Sequence, residues 1–209
     1  MYIPNSFRED NLETLHQFIQ HYNFATLITL QEGQPIGSHL PLMLDAKRGQ
    51  YGTLIGHMAR ANSQWRTLDP QQEVLVIFQG PHTYISPSWY EVSPSVPTWN
   101  YAVVHAYGKI RLIEAGNFAK LQPILKSLVD IHEAGFEHPW EMDLPEDYMH
   151  SMMRAITGFE IKITRLEGKF KLSQNRTEND QHHVIAALKD NPDTLTAEVA
   201  NLMEDTHNI

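Results

Sequence analysis

The sequence predicts a mostly β fold with flanking helices, an antiparallel barrel followed by C-terminal helices. Three observations carry this. Short β-rich apolar runs follow one another as hairpins, joined by turn signals rather than by helices. Helical periodicity is confined to the start of the chain and to its later half. No GxGxxG and no Walker loop is present, so the usual marks of a parallel nucleotide-binding sheet are missing.

The elements follow in order. Leu12, Leu15, Phe18, Ile19 and Tyr22 share one stripe of a helix over 9–22, with Asp10 or Asn11 as its cap. Phe24–Leu30 and Ile36–Leu44 are apolar runs on either side of the turn Gln31–Pro35, and so predict a hairpin. A turn at Asp45–Gly49 leads to a strand at Tyr51–Gly56, and Ala59–Leu68 is expected as a short helix closed by Asp69-Pro70. Glu73–Phe78 is apolar on both faces, as a central strand would be, and Thr83–Ser86 extends the sheet. Residues 87–98 are rich in Pro and Ser and are expected to be irregular. Val103–Ile113 returns to strand. Ala115–Ala134 and Pro145–Thr157 are expected as helices, and Phe159–Leu166 as a strand ending in a turn at Glu167-Gly168. Two helices, near 178–190 and 193–205, complete the chain, separated by Asn191-Pro192. The expected organisation is a barrel domain over 1–176 with inserted helices, and a helical tail over 177–209.

Composition narrows the chemistry. The 209 residues include no cysteine, which excludes disulfides, thiolate metal sites, iron–sulfur clusters and a cysteine nucleophile. No signal-like leader and no membrane-length apolar run is visible, so a cytoplasmic protein is expected. The formal charge of −9 argues against a chain that grips nucleic acid over its whole surface. The basic residues are nonetheless uneven: Lys162, Arg165, Lys169, Lys171 and Arg176 lie close together. They could hold phosphate, or simply form a solvated strand edge.

Three segments could carry chemistry. In Gly56–Asn62, Arg60 can fork onto a phosphate, although His57 and Arg60 also suit an ordinary polar loop. Tyr84–Tyr101 carries Trp89, Tyr90, Trp99 and Tyr101 beside Asn100. Such rings could sandwich a flat heterocycle, or pin a proline-rich loop at a subunit interface. Lys169–Arg176 gathers side-chain donors suited to phosphate or to a carbonyl-rich ring, or to a helix cap. The twelve histidines form no metal motif, and no GxSxG marks a hydrolase, so no metal site is expected.

Five strings, MYIPNSFRE (1–9), GHMARAN (56–62), FQGPHTYISPSWY (78–90), VPTWNYAVVHAYG (96–108) and KLSQNR (171–176), occur in the order that the PaiB family of FMN-binding proteins has them. Together they span most of the chain, which resembles that family; only the last thirty or so residues match loosely. The resemblance implies the split β-barrel of pyridoxamine-phosphate oxidase-like flavoproteins and a homodimer with FMN at the subunit interface. It also implies negative transcriptional regulation, hence DNA as a partner, although no helix-turn-helix is visible. On this reading Arg60 and Asn62 hold the FMN phosphate, with His57 and Met58 nearby. Ser38, His39 and Leu40 offer main-chain contacts to the ring, and Gln79 addresses its edge. Trp99 and Asn100, with Trp89, come from the second subunit, while Ser173, Gln174 and Arg176 close the pocket. Two other functions stay open: an FMN-dependent oxidoreductase or flavin reductase acting on a small substrate, and a haem-binding or carrier module. Tyr84, Tyr90, His57 and His105 are the residues that could move protons.

Overall fold

The computed structural model describes residues 1–207, without the side chain of His207. It contains eight strands and five α-helices. The strands are β1 (Arg8–Glu9), β2 (Phe24–Gln31), β3 (Gln34–Pro41), β4 (Met43–Asp45), β5 (Thr53–Ala59), β6 (Glu73–Ile85), β7 (Thr98–Leu112) and β8 (Ile156–Lys171). The helices are α1 (Leu12–His21), α2 (Phe118–Glu133), α3 (Glu146–Arg154), α4 (Glu178–Lys189) and α5 (Thr194–His207). The sheet order is β3-β2-β6-β7-β8-β5-β4, with β1 also on β8. The registers of β1 with β8, β2 with β3 and β6, β4 with β5, and β5 with β8 are all antiparallel. The expected α+β architecture with C-terminal helices is the one observed.

The chain forms two compact units. Residues 19–77 and 106–166 make one, and residues 1–18, 78–105 and 167–209 make the other. The long strands β6, β7 and β8 each contribute to both.

In the unit of 19–77 and 106–166, Glu32 and Gly33 both take positive φ, which gives β2 and β3 the two-residue turn whose twist suits a hairpin. Leu27, Leu54, Met58, Val76, Ile110, Phe159 and Ile161 are among the buried residues of this unit. Helices α2 and α3 bring Leu121, Ile124, Leu128, Met149 and Met153 onto Ile55 and Ile113. A Cβ on Gly56 would stand 2.5 Å from Leu42 Cδ2, so its absence is what lets Leu42 pack on β5.

The other unit is built around Phe18, Phe78, Ile85, Val104, Phe170 and Leu172, with Val184, Leu188, Val199 and Met203 from the terminal helices. Asn11 caps α1, its Oδ1 accepting from the backbone N–H of Glu13 and Thr14.

Three expectations fail, each because strand pairing overrides local propensity. Ala59–Leu68 is not an α-helix: Met58 and Ala59 pair with Thr157 and Ile156, leaving a 3₁₀ turn at Ser63–Thr67. The helix expected to reach Thr157 stops at Arg154, because Ile156 and Thr157 belong to that same ladder. Glu167-Gly168 is not a turn: Gly168 pairs with Glu9, and β8 runs on to Lys171. No helix among the described residues is long and apolar enough to cross a membrane.

Candidate functional site

The first group of candidate residues lies in the unit of 19–77 and 106–166, where β5 leaves the sheet. The Arg60 N–H donates to the Ala155 carbonyl at 2.8 Å and the Asn62 N–H to the Ala59 carbonyl at 2.9 Å, turning the chain sharply. Asn62 then caps the 3₁₀ turn, its Oδ1 accepting from the Gln64 N–H at 3.0 Å, while its Nδ2 donates to Ser38 Oγ at 2.8 Å. Gln64 is fully buried, and its Nε2 reaches the carbonyls of Leu27 and Ile36 and Thr29 Oγ1. These bonds staple the β2–β3 hairpin to the segment after β5.

Arg60 is exposed, and no carboxylate pairs with it among the described residues. Its guanidinium sits 5.5 Å from the Trp65 ring centre, and the Trp65 indole N–H donates to the Arg60 carbonyl at 2.9 Å. Arg66 lies 5.3 Å from the same ring. The result is a positive charge on an aromatic platform, with its hydrogen-bonding fork unspent. His57 is half-buried, and its buried Nδ1 has no hydrogen-bond partner. Burial lowers its pKa below the ordinary 6.5, so the ring is neutral at pH 7. His39 is exposed on the edge strand, with Nδ1 3.0 Å from Thr26 Oγ1. Leu40 pairs with Ala25 and is half-buried, and Met58 is buried in the core.

The second group lies in the unit of 1–18, 78–105 and 167–209. Trp99 is 53% exposed, with the Tyr84 ring edge-on at 6.2 Å. Lys171 donates to the Trp99 carbonyl, and to Thr98 Oγ1 at 2.6 Å. Burial, then the neighbouring charges of Lys169 and Arg176, lower the Lys171 pKa. Asn100 is fully buried, donating to Ser173 Oγ at 2.9 Å and to Met203 Sδ at 3.5 Å. Gln174 spends its amide at the end of β8, accepting from the Leu172 N–H and donating to the Phe170 carbonyl. Arg176 lies 4.2 Å over the Tyr90 ring and reaches Ser95 Oγ at 3.4 Å. Trp89 is half-buried in a 3₁₀ turn at Pro87–Trp89. Gln79 is exposed, 3.5 Å from His82 Nδ1.

Within each group the structure divides the candidates by availability. Arg60, His39, Gln79 and Trp99 face solvent; Asn62, Asn100, Ser173 and Gln174 shape the backbone around them. Gln64 and Trp65 were not singled out in the sequence, and Lys171 only as one of the basic residues that could hold phosphate. The partners of Gln64 and Lys171 lie far away in the chain, whereas Trp65 sits by Arg60, only five residues before it, in a 3₁₀ turn where a helix was expected. No group of three or more His, Asp or Glu side chains suited to a metal occurs among the described residues.

Residues 1–165 match the model of a family described as "Putative FMN-binding domain". The chain belongs to this family. It is also 40% identical over 207 residues to the Protease synthase and sporulation protein PAI 2 of Bacillus subtilis, covering 98% of this chain and 97% of the relative. An uncharacterized protein of Emericella nidulans is 31% identical over 243 residues, with 98% of this chain and 97% of that protein covered. Among solved structures, the FAD and heme binding protein of Mycobacterium smegmatis superposes with a TM-score of 0.60 at 14% identity, covering 86% of this chain and 79% of that one. A flavocytochrome of Azotobacter vinelandii superposes with a TM-score of 0.57 at 15% identity, covering 84% and 75%. These likenesses place the family member in the split-barrel fold.

Proposed function

We propose that this chain is an FMN-binding regulator of the PaiB type that works as a homodimer in the cytoplasm. The observation that carries the cofactor reading is Arg60: an exposed guanidinium on the Trp65 platform, unpaired with any acid among the described residues, in a member of the FMN-binding family. A phosphate dianion suits that fork. Ser38 and Asn62 support the same place, since their mutual bond holds β3 beside the Arg60 turn. His57, with a buried nitrogen still unpaired, fits a site completed by a further acceptor or donor. FMN would supply reversible electron transfer when bound; the protein would hold and orient it.

The homodimer rests on a different observation. Trp99, Tyr84, Val92 and Val96 are large apolar side chains left exposed in one unit, and a second copy would cover them. Trp99, with Trp89, is assigned to a wall presented to that copy, and Gln79 and Arg176 to its polar margin, while Asn100, Ser173 and Gln174 hold the backbone behind them. Regulation, and with it DNA as partner, is what the resemblance to the PaiB family implies, and the similarity to the Bacillus subtilis protein supports that resemblance.

Arg60→Ala tests the reading. Losing a fork of charged hydrogen bonds costs about 2–3 kcal/mol, roughly a 30- to 150-fold weaker grip on FMN. Flavin retention equal to that of the unaltered protein would end Arg60's role. The neutral His57 favours a second reading, an FMN-dependent oxidoreductase in which this ring exchanges a proton. Steady oxidation of NADPH by the purified protein, abolished in His57→Gln, would select it.

A further inference from the structure

A second concave site lies in the unit of 19–77 and 106–166, on the face of β5, β7 and β8 bordered by the turn after β4. Its cavity of about 300 Å³ is lined by Arg48, Thr53, Lys109, Arg111, Glu160 and Lys162. None of these residues belongs to the groups assigned to the flavin. The strands explain the gathering. Thr53 pairs with Lys162 and Ile55 with Glu160, and alternate residues of a strand share a face. A Cβ on Gly108 would stand 2.5 Å from the Lys162 carbonyl, so β7 runs tight against β8 and carries Lys109 and Arg111 to the same place. The turn lies over the Lys162 stem: a Cβ on Gly49 would be 3.8 Å from Lys162 Cε.

The charges do not balance. Glu160 is the one carboxylate in the lining, and it is already committed. Arg48 grips it through two nitrogens, at 2.9 and 3.3 Å, and Lys120 reaches it at 3.1 Å. The Arg48 hydrogen bond leads in holding the Glu160 pKa below the usual carboxylate range, so it stays ionised and fixes Arg48 in place. Arg48 also lies 3.8 Å from Asp45. Lys109, Arg111 and Lys162 then remain without an acidic partner among the described residues. Three unpaired cations in one hollow, in a chain of net charge −9, are mutually repulsive unless an anion joins them.

We propose that this hollow binds the phosphoryl group of a small molecule, at a site separate from the flavin. Arg111 offers the planar fork and Lys109 and Lys162 offer point charges, while the Thr53 hydroxyl, donating to the Arg48 carbonyl at 2.8 Å, pins the turn that borders the hollow. The hollow is at the small end of ligand sites, large enough for a phosphoryl group and a short organic body. A duplex is the poorer fit: the lining comes from three strands and a turn rather than from a helix that could enter a groove.

The test is calorimetry on the protein as purified, with inorganic phosphate and ribose 5-phosphate as probes, at low salt. One probe is expected to saturate near one per chain, and to weaken roughly tenfold or more in the double variant Lys109→Gln, Arg111→Gln. Tighter binding of the ester identifies a phosphorylated metabolite as the source; equal or tighter binding of phosphate identifies the free anion. Flavin content and melting temperature in phosphate-free buffer are expected to be unchanged. Lys162→Gln provides a second variant should the double one not fold. No saturable binding by either probe, or undiminished binding in the variants, would overturn the proposal. So would loss of flavin in the variants, which would make the hollow part of the flavin site, or binding of duplex DNA that neither probe displaces.

Discussion

At the residue scale, two side chains set sharp expectations. Burial holds His57 below its ordinary pKa of 6.5, and burial also leads in lowering His105. A depressed histidine favours the folded state fully above pH 6.5, where both states are neutral. That stability is lost as pH falls through the folded pKa, because the unfolded chain takes up the proton first. Melting temperature should therefore fall on acidification below about 6.5, and His57→Gln should flatten part of the slope; an unchanged slope would mean that His57 is not held neutral. Gln64 is the second case. Its Nε2 serves two carbonyls and a hydroxyl in a fully buried place. Gln64→Ala strands those acceptors and should cost about 2–4 kcal/mol. Gln64→Glu should be no better, since it returns the shape without the donor. Chemical denaturation reads both; near-neutral values would show that the staple adds nothing. The sequence offered Arg60 as a candidate because it follows a strand and stands at an expected helix start, where anions bind; a 3₁₀ turn stands there instead. Gln64 was not legible, because three acceptors from two other strands give its amide a purpose no local pattern shows.

At the element scale, most strands and helices were legible from hydrophobic period and turn chemistry. The β2–β3 hairpin is the clearest case: its turn residues adopt the positive φ values that the Glu-Gly pair allows. What was not legible is where pairing wins over propensity. Ala59 looks like the start of a helix by composition, yet its partner on β8 holds it extended. Gly168 looks like a turn, yet it stays in strand because its missing side chain makes room for Leu15 and the Glu9 carbonyl. Gly108 yields the prediction at this scale. A Cβ there meets the Lys162 carbonyl at 2.5 Å and Ile161 Cγ2 at 2.7 Å, so the two strands would have to separate. Gly108→Ala should cost about 1–3 kcal/mol, lowering the melting temperature by roughly 2–4 °C for each. Gly116→Ala, with open space around it and φ +83, should cost only the backbone strain of about 1 kcal/mol. Equal effects from the two would mean that β7 and β8 yield more easily than the backbone contact implies.

At the scale of the whole molecule, family membership and fold agree with the reading of an antiparallel flavin-binding barrel. The candidate site was legible in outline only. The sequence strings named candidate segments, but not the division of labour within them. Asn62, Asn100 and Gln174 turn their amides inward to build the backbone, while Arg60 and Trp99 are left exposed. If Trp99 belongs to a dimer face, Trp99→Arg should shift sedimentation from dimer to monomer; a monomeric unaltered protein would remove that face from the account. The central claim is the cofactor, and the most direct measurement is the visible spectrum of freshly purified protein, followed by release of the chromophore and its identification by chromatography. The account predicts flavin absorption and FMN released at about one per chain, as one flavin site at Arg60 in each subunit requires. No flavin in the purified protein, together with no rise in melting temperature when FMN is added, would contradict it, because a ligand of the native state must stabilise that state.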